Sequence, residues 1–504
     1  MKILFLNPPE ENKVSENPDE QGDEYIESDD FGHFPPLGLL YVLSYLEKNT
    51  KNHEIAFKDC IAEHVSHADL KEILEEVKPD ILALTSFTVS LVDVVIAAKL
   101  CRELFPNCHI CMGGHHPIAF PFEAAQLPEF DSIVVGEGEI VFTELVNALE
   151  NNCDITSISG VYTASSIKKY TNVQMKKDKR FLQKVRVPPA YVDDIEKLPI
   201  PNRKYISHIN YRSVIGVSNK LATMISSRGC PYKCTFCDIP IKSHRKRSPE
   251  SVIDEMQVCL DMGYDEIHFY DDLFNITPQR LIDICDEIDK RGLKITWDFR
   301  GRVNGVNLES LKRFKNSGGR MISFGIETAS DEGLKVLRKG SKVKQNVQAL
   351  DWCREVGVIS VADYMIGLPH EKSEADVLDS LKTLIKKYKP DFAQFGILSL
   401  YPNTEVFDQA VAKGLIDGNK WNEWALDPIN KDLVVDHWNE YITTKDLVRL
   451  QKTAYKKFYF RPSVILKELF RVRSFHQFKT KLIGAIKVLE IKNMFNERHR
   501  HVNQ

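Results

Sequence analysis

Three clustered cysteines are the residues of this chain whose type and spacing point most directly to chemistry. In the stretch SSRGCPYKCTFCDIP, residues 226–240, Cys230, Cys234 and Cys237 follow a C-x-x-x-C-x-x-C spacing. Structural zinc sites need four ligands, and no second cysteine or histidine pair lies close by in the sequence. Three thiolates on one loop instead suit a [4Fe–4S] cluster in which one iron lacks a protein ligand. That iron is open to a substrate or cosubstrate.

The composition restricts what kind of protein carries this loop. The chain has 504 residues, of which 43% are apolar and 27% charged, and its formal net charge of -4 gives no reason to expect nucleic-acid binding. At ~150 residues per domain we expect roughly three domains. The eleven cysteines are odd in number and otherwise scattered, which is typical of a reduced, cytoplasmic protein rather than a disulfide framework. We see neither a signal peptide nor an apolar run of the ~20 residues that a membrane span needs.

Residues 1–150 alternate between strand and helix patterns and therefore predict a Rossmann-like, doubly wound parallel sheet. Its strands are predicted within KILFLNPP, HEIAFKDC, DILALTSFTVS, HICMGGHHP and SIVVGEGE. Ligands of such sheets bind at the carboxyl ends of the strands. Those ends carry Asn7 and residues 85–90, 113–116 and 136–139.

The rest of the chain divides into three further segments. Residues 151–215 are irregular and predict a connector with small hairpins. Residues 216–410 contain six strand patterns with intervening helices, which indicates a partial or complete βα (TIM-type) barrel with its active site at the carboxyl ends of the strands. Residues 411–504 predict a helical region that turns basic, with fifteen Lys or Arg against four Asp or Glu in residues 445–500. This region is either a packing helix or a membrane-surface segment.

The cysteine spacing, with Phe236 directly before the third cysteine, resembles the radical S-adenosylmethionine (SAM) superfamily. The later segments FYDDLF, FGIETAS, YMIGLPHE and LSLYPNTEVF resemble its further motifs, in the same order. The resemblance implies that SAM binds the open iron and is cleaved to methionine and a 5′-deoxyadenosyl radical. It places SAM contacts at Phe236, Asp271 or Asp272, Arg300, Arg302, Glu327, Ser330, Gly367 and Pro369. Taken singly, each of these acids and arginines is more readily explained as a salt bridge within the barrel than as a ligand.

A doubly wound domain ahead of such a barrel resembles the cobalamin-binding branch of the superfamily. The segments NPP, LTSFTVS, GGHHP and VVGEGE carry this resemblance. It implies a cobalamin tail channel and a ribose or phosphate contact formed by Ser86, Thr88, Gly113, Gly114, His115, Gly136, Glu137 and Gly138. Many cobalamin proteins present a D-x-H-x-x-G loop, whereas the comparable residues here read DCIAEH. We therefore expect no cobalt ligation by a histidine of this loop, and none by His115 or His116. Some proteins of this architecture keep the domain without the cofactor.

The resemblance leaves three functions open. The leading one is cobalamin-dependent methyl transfer to an unactivated carbon. The second is a radical cyclase, dehydratase or oxidase that transfers no methyl group, since AYKKFYFRP, residues 454–462, resembles a motif of the anaerobic magnesium-protoporphyrin cyclase branch. The third is a cobalamin or redox sensor. Expected partners are a small-molecule, lipid, isoprenoid or tetrapyrrole substrate, a reductant such as flavodoxin or ferredoxin, and, through the basic region, a membrane surface, but no nucleic acid. Cys259, Cys285 and Cys353 are expected in the barrel core.

Overall fold

The strands of the protein fall into two six-stranded sheets and two short strand pairs. The computed structural model describes residues 1–12, 14, 32–170, 186–213, 216–218, 220–462 and 464. The strands of residues 1–213 are β1 (Lys2–Asn7), β2 (Gly32–His33), β3 (Glu54–Asp59), β4 (Ile81–Thr85), β5 (His109–Gly113), β6 (Ser132–Val134), β7 (Val161–Tyr162) and β8 (Arg212–Ser213). Those of residues 221–397 are β9 (Leu221–Met224), β10 (Ser227–Arg228), β11 (Arg245–Lys246), β12 (Glu266–Phe269), β13 (Thr296–Gly301), β14 (Gly319–Glu327), β15 (Ile359–Ile366) and β16 (Phe392–Ile397). The two short pairs are β2 with β8 and β10 with β11.

The first sheet has the order β3-β1-β4-β5-β6-β7, in which only β7 runs antiparallel to its neighbour. Residues 3–6 of β1 are buried because helices cover both faces of the sheet. The helices are α1 (Leu37–Asn49), α2 (His67–Val77), α3 (Leu91–Leu104), α4 (His115–Ala119), α5 (Pro121–Gln126) and α6 (Gly138–Glu150). The strand order reverses between β1 and β4, which is the switch point at which doubly wound sheets bind ligands. The predicted Rossmann-like fold is confirmed.

The second sheet has the order β16-β15-β14-β13-β12-β9, with every neighbouring pair parallel. In the described part of the chain β9 and β16 are its edges and do not pair with each other, so the barrel is partial. Its helices are α7 (Pro249–Asp261), α8 (Pro278–Arg291), α9 (Leu308–Asn316), α10 (Asp331–Val336), α11 (Val343–Val356) and α12 (Glu374–Thr383), which a π-helical turn, Leu384–Tyr388, extends. The predicted βα barrel is confirmed in its partial form.

The two faces of the barrel strands differ sharply in polarity. One face is apolar and packs against the helices, as Ile267, Phe299 and Phe324 do. Side chains alternate along a strand, so the intervening positions face the interior. Most of these are polar: Thr223, Glu266, His268, Tyr270, Asp298, Arg300, Ser323, Asp363 and Gln394. The barrel therefore encloses a polar lumen in place of the usual branched apolar layers.

The C-terminal region closes one side of the barrel. Beyond α13 (Glu405–Ala412) and α14 (Lys420–Ala425), the long helix α15 (Thr444–Tyr459) lies against β16. The Tyr459 hydroxyl donates to the Ala393 carbonyl at 2.8 Å and accepts from the Ala393 N–H at 3.1 Å. The hydroxyl thereby satisfies backbone groups that an edge strand otherwise leaves open. Much of the predicted basic segment follows residue 464 and lies outside the described residues.

The two sheets share part of one apolar core. Leu84 and Met112 of the first sheet belong to the same buried cluster as Leu368, Leu400 and Trp421 from the barrel and the C-terminal region. This packing holds the carboxyl ends of the two sheets near each other. Among the described helices, none has both the length and the apolarity that a membrane crossing requires.

Candidate active site

The cysteine loop joins β10 to β11, which pair as a short antiparallel hairpin after β9. Backbone hydrogen bonds pin the loop in two places. The Cys230 N–H donates to the Ile241 carbonyl at 3.0 Å, and the Thr235 N–H donates to the Leu337 carbonyl at 3.1 Å. The hairpin therefore holds all three thiols at the carboxyl end of the barrel strands, where such barrels carry their active sites.

The thiols lie beside a buried arginine with unused hydrogen-bond donors. Cys230 is buried, whereas Cys234 and Cys237 are half-buried, and all three are free. Arg302 Nη1 lies 3.5 Å from Cys234 Sγ, and the guanidinium carbon lies 3.7 Å from the centre of the Tyr232 ring. Arg302 Nε and Nη2 are buried without a partner among the described residues. Free donors next to three thiols fit an anionic cluster and the carboxylate of a cosubstrate bound to it.

The two aspartates of FYDDLF have different surroundings. Asp271 is buried, and its carboxylate accepts hydrogen bonds from Ser226 Oγ and Ser227 Oγ, both at 2.6 Å. Burial raises the pKa of Asp271 to about 6, and the serine hydrogen bonds oppose this shift. Asp272 is exposed and accepts from the Gly229 N–H at 2.7 Å, directly beside the cysteine loop. Of the two predicted SAM ligands, only Asp272 is available to a bound molecule.

The segment FGIETAS ends β14 with a strained glutamate. Glu327 has a φ of +61°, and Lys339 Nζ lies 2.5 Å from its Oε1. The same ammonium group lies 5.9 Å from the centre of the Phe236 ring, so this ion pair adjoins the cysteine loop. Ser330 instead caps α10 by accepting from the Gly333 N–H at 3.2 Å. Lys339 was not singled out in the sequence, because no local pattern connects it to the loop.

The segment YMIGLPHE forms a rigid turn after β15. The N–H groups of Gly367 and Leu368 both donate to Glu371 Oε2 at 2.8 Å. Gly367 has a φ of +77°, and a β-carbon added there would lie 3.0 Å from the side chain of Leu447 in α15. Pro369 follows this hydrogen-bonded turn and is half-buried. The turn is thus fixed from two sides, as a surface for a bound nucleoside requires.

The barrel lumen below this site carries one cationic and one anionic side chain. The sequence analysis did not predict that they share the lumen. Arg300 is exposed, and its guanidinium carbon lies 5.8 Å from the centre of the Tyr270 ring. On β15, Asp363 accepts from Ser323 Oγ at 2.9 Å, and burial raises the pKa of this aspartate. Asp363 Oδ1 is buried without a partner in the described structure. Arg300 and Asp363 therefore offer a donor and an acceptor to a polar molecule in the lumen.

A second charged group lies deeper in the lumen. Glu266, His268 and Asp298 are all buried and close enough to hold a metal ion in principle. However, Arg320 Nη2 lies 3.2 Å from Glu266 Oε1 and 3.5 Å from Asp298 Oδ2. The Arg320 guanidinium already contacts both carboxylates, so the group is an internal ion-pair network.

The predicted cobalamin face lies at the carboxyl ends of β4 and β5. Gly114 has a φ of +95°, and a β-carbon there would lie 2.7 Å from the Ser86 carbonyl oxygen, so only glycine fits. His116 is fully buried with Nδ1 3.2 Å from Thr88 Oγ1, and burial lowers its pKa to about 3. The neutral imidazole of His116 thus belongs to the framework. Gly113, by contrast, has open space where a β-carbon would project.

Two large apolar side chains are exposed at this face. Phe87 is 55% exposed and Val89 is 40% exposed, and both lie directly after the buried strand β4. The exposed His115 ring stacks on Phe87 with a centroid separation of 5.0 Å and an interplanar angle of 12°. An open apolar platform beside Gly113 fits a large flat macrocycle, since isolated proteins seldom expose such residues together. Phe87 was part of a quoted segment but was not predicted as a contact.

The segment VVGEGE is held in place by contacts within the protein. A β-carbon on Gly136 would lie 2.1 Å from the Ala190 carbonyl oxygen, so this glycine packs directly on the connector. The Glu137 carboxylate is paired with Arg245, and Gly138 begins α6 close to Val42. The resemblance implied a contact of these residues with the ribose or phosphate of the cofactor, and that contact stays a prediction. The structure shows protein contacts for them, because the connector and the barrel hairpin fold over this strand end.

The loop after β3 reads DCIAEH where many cobalamin proteins have D-x-H-x-x-G, and hydrogen bonds to Asp59 fix its position. Asp59 accepts from Asn7 Nδ2 and from the Tyr211 hydroxyl, both at 2.7 Å. His64 is exposed and has a φ of +54°. The absence of cobalt ligation by this loop stays a prediction.

Family models match two separate segments of the chain. The family model of the radical SAM superfamily matches residues 224–384, and that of the B12 binding domain matches residues 31–146. An uncharacterized methyltransferase of Pyrococcus horikoshii is 31% identical over 481 residues, which cover 94% of this chain and 96% of that protein. The hopanoid C-3 methylase of Methylococcus capsulatus is 26% identical, with 74% of this chain and 68% of that protein covered. The anaerobic magnesium-protoporphyrin IX monomethyl ester cyclase of Rubrivivax gelatinosus is 25% identical, with coverages of 86% and 74%.

Two solved structures share the whole arrangement. The radical SAM methyltransferase TsrM from Kitasatospora setae, solved with cobalamin and a [4Fe–4S] cluster, superposes with a TM-score of 0.67 at 17% identity, covering 92% of this chain and 89% of TsrM. The cobalamin-dependent radical enzyme OxsB gives a TM-score of 0.69 at 17% identity, covering 97% of this chain and 71% of OxsB. These likenesses concern the fold. Together with the family matches and the relatives, they lead to one conclusion: the chain is an enzyme of the cobalamin-binding branch of the radical SAM superfamily, whose cofactors are a [4Fe–4S] cluster, SAM and cobalamin.

Proposed function

We propose that this enzyme transfers a methyl group from SAM to an unactivated carbon of a small-molecule substrate. One observation carries the proposal: the cysteine loop and the open strand-end platform belong to one packed unit. Phe236 of the loop packs against the same buried cluster as Leu84 and Met112 at the ends of the first sheet. Asn403, from the loop after the last barrel strand, donates to the Ala119 carbonyl of α4 at 3.2 Å. A substrate held between the two surfaces reaches both cofactors.

The cluster and SAM supply a hydrogen-abstracting radical, and cobalamin supplies methyl-carrying chemistry. The residues of this chain orient these groups. Asp272 would accept a hydrogen bond from the SAM ammonium group, and the unused donors of Arg302 would bind its carboxylate. Glu327, held by Lys339, would bind the ribose hydroxyls, and the turn at Gly367 would contact the adenine. Phe87 and Val89 offer an apolar surface to the corrin ring.

The lumen favours a substrate with polar groups. Arg300 and Asp363 offer opposite charges on neighbouring parts of the inner face, and Asp363 Oδ1 has no partner among the described residues. Buried polar atoms need hydrogen-bond partners, so a purely hydrocarbon molecule would leave these groups unsatisfied. A substrate with hydroxyl, amine or carboxylate groups fits better.

The second candidate is a radical cyclase, dehydratase or oxidase that transfers no methyl group. It is favoured by the similarity to the Rubrivivax gelatinosus cyclase, which extends over 86% of this chain. The end of α15 and the residues directly after it carry AYKKFYFRP, the motif that resembles the cyclase branch.

Product stoichiometry distinguishes the two candidates without a known substrate. Protein reconstituted with iron, sulfide and hydroxocobalamin is reduced and given SAM, and both nucleoside products are measured by mass spectrometry. Methyl transfer predicts S-adenosylhomocysteine in proportion to bound cobalt, and none from protein reconstituted without cobalamin. Formation of 5′-deoxyadenosine alone, with full cobalt occupancy, would exclude the methyltransferase and leave the second candidate.

A further inference from the structure

Two glutamates of the cobalamin-binding domain form ion pairs with two arginines of the β10–β11 hairpin, which carries the cysteine loop. Arg245 binds Glu137 through two parallel contacts, with Nη2 to Oε1 and Nη1 to Oε2 both at 2.7 Å. Arg228 Nη1 lies 3.2 Å from Glu137 Oε1, and Arg228 Nη2 lies 2.5 Å from Glu139 Oε1. We call these four residues the latch. Paired contacts between a planar guanidinium and a carboxylate fix direction as well as distance.

The latch is shielded from water. None of its four side chains is more than 13% exposed. Tyr41 of α1 lies against Arg228, with 5.0 Å between its ring centre and the guanidinium carbon. The Val192 N–H donates to Glu137 Oε2 at 2.6 Å, and Arg245 Nη1 donates to the Val192 carbonyl. Screening by salt is weak for such buried pairs, so they hold a defined geometry.

The two arginines of the latch lie at the base of the cysteine loop. Arg228 and Arg245 face each other across the β10–β11 pair, which is the stem of the cysteine loop. Arg228 is separated from Cys230 only by Gly229, whose φ is +83°. Glu137 and Glu139 lie at the start of α6, the helix that follows β6 of the other sheet. The latch therefore joins the stem of the cluster loop to the cobalamin-binding domain.

We propose that Glu137 and Glu139 are positioning residues that set the cluster loop at a fixed distance and angle from the cobalamin face. The inference rests on the binding of both cofactors by this chain, but it does not require methyl transfer. It gives the VVGEGE segment a role other than cofactor contact. Gly136 contributes to the same contact between the segments, since it lets Ala190 of the connector approach the end of β6.

The test compares the Glu137→Gln/Glu139→Gln double variant with Glu144→Gln, a control on the exposed side of the same helix α6. Each protein is reconstituted with both cofactors and reduced to the paramagnetic cluster and cob(II)alamin. The spin–spin coupling between the two centres, measured by pulsed electron paramagnetic resonance, reports their separation. We expect the double variant to lose more than half of the coupled signal while its iron and cobalt contents stay within the range of the control. Unchanged coupling in the double variant would overturn the proposal.

Three further variants keep the proposal testable if the double variant fails to fold or to bind its cofactors. Arg245→Lys keeps the charge but loses the paired contact, so it should broaden the coupling without loss of either cofactor. The charge exchange Glu137→Arg/Arg245→Glu should restore coupling relative to Glu137→Arg alone, which a merely destabilising change would not do. If no variant binds cobalt, iron release to a chelator is measured instead. Release from the double variant at the control's rate would refute the latch, whereas absence of methyl transfer with altered coupling would refute only the proposed function.

Discussion

Replacement of Gly229 by alanine should displace the cluster loop, and its cost follows from the local geometry. Gly229 has a φ of +83°, a region in which an L-residue costs roughly 1–2 kcal/mol. The added β-carbon would also lie 2.1 Å from the Ser243 carbonyl oxygen and 2.9 Å from Ile241 Cγ2. Such overlap with a fixed backbone atom adds ~1–3 kcal/mol. We expect a total of about 2–5 kcal/mol, concentrated in the stem that carries Cys230.

Gly357→Ala is the matched control for this substitution. Gly357 has a φ of +74° at the end of α11, and nothing lies within 4 Å of its missing β-carbon. Its replacement therefore carries the conformational cost alone, roughly 1–2 kcal/mol. The assay is bound iron and sulfide after anaerobic reconstitution, together with the urea midpoint of unfolding. We expect loss of most of the cluster in Gly229→Ala and near-normal cluster content in Gly357→Ala. Equal behaviour of the two variants would refute the tight packing of the loop stem.

Three further substitutions test separate parts of the account. Phe87→Ala should weaken cobalamin binding about tenfold, equivalent to ~1.4 kcal/mol of lost apolar contact, whereas Phe460→Ala, also exposed, should leave it unchanged in a titration followed by absorbance. Burial raises the pKa of Glu123 to about 7, so the folded state holds a proton that the unfolded chain releases, and stability should fall as the pH rises from ~4.5 to about 7. In Glu123→Gln this fall should be smaller by up to ~1.4 kcal/mol per pH unit, and parallel urea-unfolding curves at each pH would contradict the assignment. Tyr459→Phe should lower the free energy of unfolding by about 1–3 kcal/mol, because two backbone groups of the edge strand lose their partner, and an unchanged urea midpoint would argue against that contact.

Much of the fold was accessible from local patterns. Strand and helix periodicities, strand-end glycines and the cysteine spacing are all read within a few residues, and these features predicted the two α/β units. Phe236, Asp272 and Gly367 were predicted as SAM contacts because their segments resemble radical SAM motifs, and these roles stay predictions. Gly114 was singled out because a glycine at a strand end lets backbone segments approach closely.

The remaining features depend on contacts between distant parts of the chain. The pairs Arg228–Glu139 and Arg245–Glu137 are separated by 89 and 108 residues, and no local spacing indicates which charges will meet. The polar lumen was missed for a related reason. Residues such as Asp298 and Asp363 appear singly within apolar strands, and only the assembled barrel shows that they face the same interior.

The most direct test of the central claim is the metal content of the full chain after anaerobic reconstitution with iron, sulfide and hydroxocobalamin. We predict about four iron atoms and about one cobalt per chain, with loss of iron but not of cobalt in the variant in which Cys230, Cys234 and Cys237 are replaced by alanine. An intact cluster with no bound cobalt would contradict the account of the N-terminal domain. Iron retained by the triple-alanine variant would contradict the assignment of the cluster ligands.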